Sequence, residues 1–221
     1  GLLWASIIPG SLKRSITTFV FSVGATASIL VIMNLVDWFS FPGLTFVGVA
    51  IIGGMTFSGL FAYLSASSFL FQDVYGLDPQ GYGLLFAANS IGVVIGVQVS
   101  SRLAKYVGPA WILAGSTAVL LLSAVAIVAL DMAGAGLLGT VIPLWFFITA
   151  CGFGFPCVQV LALVHHGKEA GTAASVLGAV NFGLAGVISP IVGLFGIADA
   201  VPMGTVMALT AAIAIASLWF I

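Results

Sequence analysis

The side chains of this sequence that could act on a small solute are amides, hydroxyls and an indole, set within long apolar stretches. Residues three or four positions apart lie on one face of a helix, and polar groups at this spacing occur in four of the stretches. The candidates are Ser65, Gln72, Asn89, Trp145, Thr149, Gln159 and Asn181. An amide inside an apolar layer must find a hydrogen-bond partner or line a wet cavity. The pattern therefore indicates a solute-binding cavity, with contact between helices as the alternative.

Groups that catalyse covalent or metal-assisted reactions form no recognisable set in the apolar stretches. The sequence has no Ser/His/Asp combination, no H-E-x-x-H motif and no pair of carboxylates there. His165 and His166 are adjacent, so a helix would point them to different faces, and no third metal ligand lies nearby. We therefore expect no metal, no cofactor and no enzyme activity, and an intramembrane enzyme ranks last among the functions considered.

The elements that position these side chains follow from the scarcity of charge. Only 5% of the 221 residues are charged and 62% are hydrophobic, whereas ordinary globular domains are about 25% charged. The charged residues divide the chain into seven uncharged stretches, each long enough for the roughly 20 residues that cross a bilayer. The sequence therefore predicts an all-α, polytopic membrane helix bundle with about seven transmembrane helices. Five Lys and Arg residues make no basic patch, so the expected partner is the lipid bilayer and not nucleic acid.

Helix boundaries follow from turn signals such as Asp78-Pro79 and Gly108-Pro109. Helices are expected at about 16–37, 45–72, 80–103, 110–130, 138–163, 170–196 and 201–221. Pro156, which follows two glycines, is expected to kink the fifth helix. In the sixth helix, one stripe is expected to face lipid, namely Val176, Val180, Leu184, Val187 and Ile191.

The orientation follows from the positive-inside rule. It places the loop with Arg102 and Lys105 in the cytoplasm and accounts for the last six helices. Lys13 and Arg14 then violate the rule, so we divide the chain into 1–43, an unmatched segment with one helix at 16–37, and 44–221, a six-helix unit. Both ends of the sequence look cut, because it starts with Gly1 and stops inside an apolar run.

Three stretches of the sequence carry a resemblance to a known family. They are AYLSASSFLFQDVYGLDPQ at 62–80, LFAANSIG at 85–92 followed by SRLAKYVGP at 101–109, and KEAGTAAS at 168–175 continuing to Ser189-Pro190. From about residue 45 the chain resembles the C-terminal half of a major facilitator superfamily transporter. It is most similar to the Bcr/CflA drug-resistance family of bacterial proton antiporters. Gly108 keeps its place in the family's loop motif, but Lys105 stands where the better-known motif has Asp.

The resemblance implies one of two six-helix halves that rock around a central cavity. It implies proton-driven efflux of amphipathic drugs across the bacterial inner membrane, with an N-terminal half as partner that carries the proton-coupling acid. Arg102, Lys105 and Gly108 would belong to a cytoplasmic loop or gate, unless the two cations only set the topology. On this basis the cavity wall, or the helix interfaces beside it, would contain Ser65, Gln72, Asn89, Gln159 and Asn181. The alternative is a truncated or assembly-type membrane module without transport activity of its own.

Overall fold

The computed structural model describes residues 44–164, 166, 169–194 and 199–218. All of them belong to one compact unit, Gly43–Ile221. The expected segment 1–43 and its helix at 16–37 lie outside the described residues. Within the described ranges the chain forms six α-helices and one π-helical segment, and no strand.

The six helices follow one another with short connections. They are α1 (Leu44–Ser68, continued by the π-helical segment Phe69–Val74), α2 (Pro79–Val107), α3 (Pro109–Met132), α4 (Gly136–Leu163), α5 (Ala170–Leu194) and α6 (Val201–Ser217). The first five are long and apolar enough to cross a bilayer, and α6 is shorter. The expectation of a polytopic membrane helix bundle is confirmed, and the chain is a multi-pass membrane protein.

The helix α2 extends beyond its expected end at residue 103. Its start matches the prediction, because Asp78 caps the helix by accepting a 2.9 Å hydrogen bond from the Gly81 N–H. At the other end the helix continues to Val107, so Arg102 and Lys105 lie in its last turns and the expectation of a loop at these residues is wrong. Cations are favourable at a helix C-terminus, where the backbone carbonyls carry partial negative charge. The helix stops only at Gly108, whose φ of 91° suits glycine, and Pro109 begins α3.

The packing order places α1 and α4 at the centre of the bundle. The helix α1 packs against α5, α6 and α4, whereas α4 packs against α3, α2 and α1. The helices α2 and α5 each have one main neighbour, α4 and α1 respectively. Fully buried side chains of the core, such as Tyr63, Phe71 and Phe147, lie between the central helices. The outer helices α2 and α5 therefore leave broad faces uncovered within this unit.

The contact between α2 and α4 is made by backbone. A Cβ atom on Gly96 would collide with the carbonyl oxygen of Thr149, and a Cβ atom on Gly152 would collide with that of Val93. Two helices approach this closely only where neither carries a side chain, which is how small residues promote association in lipid.

The predicted lipid-facing stripe of α5 is wrong in its first part. Val176 is buried, and the side chains of Val180 and Leu184 lie against Gly54 of α1. Only Val187, at 71% exposure, faces outward as expected. Both faces of α5 are apolar or small, so hydrophobicity alone does not say which face meets another helix.

A hydrogen-bonded network links four helix ends at the side of the bundle opposite Arg102. The Tyr75 hydroxyl donates to Asp131 Oδ1 at 2.9 Å, and it pairs with Thr140 Oγ1 at 2.7 Å. The backbone N–H of Ala200 donates to Asp131 Oδ2 at 3.1 Å. Burial raises the pKa of the Tyr75 phenol, which keeps it protonated as the donor. Asp131 therefore joins the end of the π-helical segment to α3, α4 and the start of α6.

Replacing Gly96 by Ala should lower the stability of the bundle. The new methyl group would push α2 away from α4, at a cost of about 1–3 kcal/mol. Gly115→Ala on α3 is the matched control, because a Cβ atom there meets nothing within 4 Å, and it should leave stability unchanged or raise it slightly. Thermal unfolding in mild detergent measures both, and equal midpoints for the two variants would contradict the backbone contact.

Replacing Asp131 by Ala should also destabilise the protein. The change removes the acceptors of the Tyr75 hydroxyl and the Ala200 N–H. Each hydrogen bond to a charged group contributes about 1.5–3 kcal/mol to the free energy of unfolding. Asp73→Ala is the control, since Asp73 is exposed and makes no hydrogen bond to the described residues. An unfolding midpoint for Asp131→Ala as high as that for Asp73→Ala would show that the network does not hold the helix ends.

Candidate functional site

Four phenylalanines from three helices form an aromatic surface, here called the phenylalanine cluster. Phe57 and Phe61 belong to α1, Phe155 to α4 and Phe182 to α5. The ring of Phe57 lies 4.9 Å from that of Phe155 and 5.3 Å from that of Phe182, and Phe61 lies 6.1 Å from Phe182. Phe182 is 61% exposed and the other three rings are partly buried. The faces of such rings attract further aromatic rings and organic cations.

The cluster forms because its rings lie on the faces where the three helices meet. Phe57 and Phe61 are four residues apart, so they follow one another along one face of α1. The helices α4 and α5 both pack against α1, and they bring Phe155 and Phe182 to opposite sides of that face. The partly exposed ring faces are then available to a solute.

Asn181 lies buried next to the cluster with an unpaired oxygen. The residue is 4% exposed, and its Oδ1 atom has no hydrogen-bond partner in the part of the chain that the structure describes. A Cβ atom on Gly53 would lie 2.8 Å from this oxygen, so the amide occupies the space that the glycine leaves. Phe182 follows Asn181 directly, and Phe57 follows Gly53 by one helical turn. An unpaired buried acceptor costs about 1–3 kcal/mol, which makes this amide the most poorly satisfied polar group of the described core.

Two other predicted residues border the phenylalanine cluster. Ser65 is exposed one turn beyond Phe61, and its hydroxyl lies 3.0 Å from the Ala62 carbonyl oxygen and 3.3 Å from that of Ser189 on α5. Gln159 is exposed one turn beyond Phe155. Polar groups therefore stand at the edges of the aromatic surface. Gln72 is farther away, partly buried in the π-helical segment.

The remaining predicted residues lie at a different place, the contact between α2 and α4. Asn89 donates from Nδ2 to the Tyr63 hydroxyl at 3.1 Å. Trp145 donates from Nε1 to the carbonyl oxygen of Ala88 at 3.1 Å, and Thr149 donates to that of Trp145 at 2.7 Å. All three side chains have partners within the protein. The bond of Asn89 to Tyr63 of α1 and that of Trp145 to Ala88 of α2 join different helices, as the helix-contact alternative requires, whereas that of Thr149 lies within α4. Six of the seven predicted residues are therefore divided between two regions, and Gln72 lies apart from both.

The residues that were assigned to a helix kink and to a cytoplasmic gate lie within helices or at a helix end. The helix α4 continues through Pro156 and also contains Pro143. Arg102 and Lys105 are exposed, and neither makes an ion pair or hydrogen bond to the described residues. Gly108 ends α2 and precedes Pro109.

The sequence interpretation missed the phenylalanine cluster. Phe155 stands four residues before Gln159 and Phe182 adjoins Asn181, so each lay beside a candidate. The chain has 17 phenylalanines, however, and an apolar membrane helix carries them on every face. Only the packing of three helices selects the four that meet.

Replacing Asn181 and Asn89 by Leu should have opposite effects on stability. Asn181→Leu removes an unpaired buried oxygen and should stabilise the protein by up to about 1–3 kcal/mol. Asn89→Leu leaves the buried Tyr63 hydroxyl without its donor and should destabilise it by a similar amount. The unfolding midpoints of the two variants in mild detergent measure this difference. A lowered midpoint for Asn181→Leu would show that its amide is paired.

Comparison with known proteins gives two related proteins. A protein of Bacillus subtilis (strain 168) named "Uncharacterized MFS-type transporter YdgK" is 29% identical over 169 residues, which are 76% of this chain and 42% of that protein. The "Bicyclomycin resistance protein homolog" of Haemophilus influenzae (strain ATCC 51907 / DSM 11121 / KW20 / Rd) is 24% identical over 175 residues, which are 79% of this chain and 44% of that protein. The chain thus spans less than half the length of each relative. No family model matches it, and no solved structure matches it.

Proposed function

Because the chain is related to the major facilitator transporters of the Bcr/CflA type, we propose that it forms part of a proton-coupled transporter. The transporter would export amphipathic drugs across the bacterial inner membrane. The observation that carries this proposal is the phenylalanine cluster, which lies on membrane-crossing helices next to the unpaired oxygen of Asn181. The relatives support transport, and the chemistry of this surface supports the class of solute.

An amphipathic solute would bind through two kinds of contact. Its apolar or aromatic part would stack on Phe57 and Phe182, where each aromatic pair contributes about 0.5–1.5 kcal/mol beyond burial. A donor on the solute would pair with the exposed Gln159 at the edge, or with the oxygen of Asn181 where a helix movement uncovers that buried atom. Phe61 and Phe155 enlarge the apolar surface, and they do not enclose the solute in a pocket of fixed shape. Such contacts are weak and tolerant, which suits a carrier that must accept varied molecules and release them.

The proton would be carried outside the described unit. Among the described acids, Asp73, Asp78, Glu169 and Asp199 are exposed at helix ends or in connections, and Asp131 is held by Tyr75. None of them adjoins the phenylalanine cluster. Proton coupling needs a titratable group that reaches the solute pathway, so this group would belong to an N-terminal half. The chain spans 42% and 44% of its two relatives, which leaves room for such a half.

The uncovered faces of α2 and α5 support a second half as partner. Ser90, Gln98 and Ser101 are exposed on α2, and the Gln98 amide makes no hydrogen bond to the described residues. Gly171 and Gly186 on α5 have open space beside them. Polar and small residues are disfavoured against lipid and favoured against another helix. A second half that covers these faces would enclose the phenylalanine cluster in a central cavity.

The test is an efflux assay with the full native polypeptide in cells that lack other drug pumps. Phe182→Ala and Asn181→Leu should each lower the efflux rate of a fluorescent amphipathic drug by about tenfold, the loss expected from one stacking or hydrogen-bond contact. Phe69→Ala is the matched control, since Phe69 is 56% exposed but lies outside the cluster. It should keep the wild-type rate at equal abundance in the membrane.

Two results would contradict the proposal. Equal efflux by Phe182→Ala, Asn181→Leu and Phe69→Ala would remove the phenylalanine cluster from the drug pathway. Absence of efflux by the wild-type polypeptide, with normal insertion in the membrane, would favour a membrane module without transport activity.

A further inference from the structure

A groove opens between α2 and α3 on the surface of α4. The two helices are consecutive and both pack along α4, but they contact each other little. They diverge from the turn at Gly108, and the space between them has a volume of about 510 Å³. Residues from all three helices line it, among them Leu103, Val107, Trp111, Gly115, Thr149 and Phe153.

Apart from the indole of Trp111 at one end, the polar groups in the walls of this groove are already paired within the protein. Trp145 donates to the Ala88 carbonyl oxygen at 3.1 Å, and Thr149 donates to that of Trp145 at 2.7 Å. Ser116 donates to the carbonyl oxygen of Leu113 at 2.9 Å. A polar solute in the groove would therefore lose its hydrogen bonds to water and gain no donor in return. The chemistry of the walls selects a hydrocarbon chain.

One end of the groove carries positive charge and an amphipathic ring. Trp111 lines the groove, is 75% exposed, and its indole N–H makes no hydrogen bond to the described residues. Arg102 directly precedes Leu103 in the last turns of α2 and has no acidic partner among the described residues. Lys105 is two residues from both Leu103 and Val107, so it points to the opposite side of the helix. Tryptophan and long basic side chains concentrate where hydrocarbon meets the lipid headgroups. An unpaired cation at this level complements a phosphate.

We propose that this groove binds an anionic phospholipid, with an acyl chain between α2 and α3 and the phosphate near Arg102 and Trp111. The site is separate from the phenylalanine cluster. Phe153 lines the groove and Phe155 belongs to the cluster, and residues two apart point to nearly opposite sides of a helix. The lipid is therefore a structural partner that does not share the pathway of a transported solute, and the proposal stands without the transport activity.

The wild-type protein provides the first test. The full native polypeptide is placed in lipid discs that contain phosphatidylglycerol with a photoreactive group in its acyl chain. After illumination, the label should be concentrated in peptides that cover residues 103–119 and 145–153. Equal labelling of all exposed helix faces, or labelling concentrated elsewhere, would overturn the proposal.

A groove-filling variant tests the position of the acyl chain. Gly115→Leu places a side chain in the groove, and the fold tolerates it because a Cβ atom there meets nothing within 4 Å. Native mass spectrometry should show retained phosphatidylglycerol reduced by about tenfold, the effect of exposing one or two methylene groups. Ala129→Leu is the matched control, an exposed position on the same helix outside the groove. Wild-type retention by Gly115→Leu would overturn the proposal.

A charge variant tests the headgroup. Arg102→Gln should lower the preference for phosphatidylglycerol over phosphatidylethanolamine by about fivefold, the contribution of one basic residue near an anionic surface. The total lipid retained should stay near the wild-type level, because the acyl-chain contacts remain. An unchanged preference in Arg102→Gln would overturn the assignment of an anionic headgroup.

Discussion

The backbone contact between α2 and α4 is the constraint on which the rest of the arrangement depends. In lipid, apolar side chains gain little by leaving their surroundings, so helices associate through close packing and hydrogen bonds. Gly96 and Gly152 allow this approach because neither has a side chain. The approach brings the Trp145 indole to the Ala88 carbonyl oxygen. Because α2 is held against α4 along this line, it cannot also follow α3, and the groove between α2 and α3 is a consequence of the same contact.

Hydrogen bonding is nearly complete in the described core, which makes its one exception informative. Thr56, Ser58 and Thr117 each donate to a carbonyl oxygen one turn earlier in their own helix, so these hydroxyls cost little in an apolar layer. The oxygen of Asn181 has no such partner among the described residues. A protein that satisfies its other buried side chains tolerates an unsatisfied group where function requires it. The cost lies beside the phenylalanine cluster, between α1 and α5.

The sequence predicts the helices well and their contacting faces poorly. Charge is so rare that the ends of the membrane helices follow from Asp78, Gly108 and their neighbours, and the resemblance to transporters is confirmed by the two relatives. The faces are different, because burial in a membrane protein is not marked by hydrophobicity. The stripe with Val176 was expected to meet lipid and meets protein. The links of Asp131 to Tyr75 and Ala200 join residues far apart in sequence. Contacts of this kind follow from the packing of whole helices, which no local pattern contains.

The helix α4 connects the groove to the phenylalanine cluster, since it contributes Phe153 to one and Phe155 to the other. It also contains Pro143 and Pro156, each of which removes a backbone hydrogen bond and makes the helix easier to bend. The curvature of a helix with two prolines in its interior depends on the residues and lipids that pack against each side. On the side of α2 that shape is fixed by backbone contact at Gly152, but on the side of the groove it depends on the occupant. An acyl chain beside Phe153 would therefore hold α4 in position, and with it the ring of Phe155. Lipid composition would then influence the solute surface through the position of one helix, without any contact between the lipid and the solute.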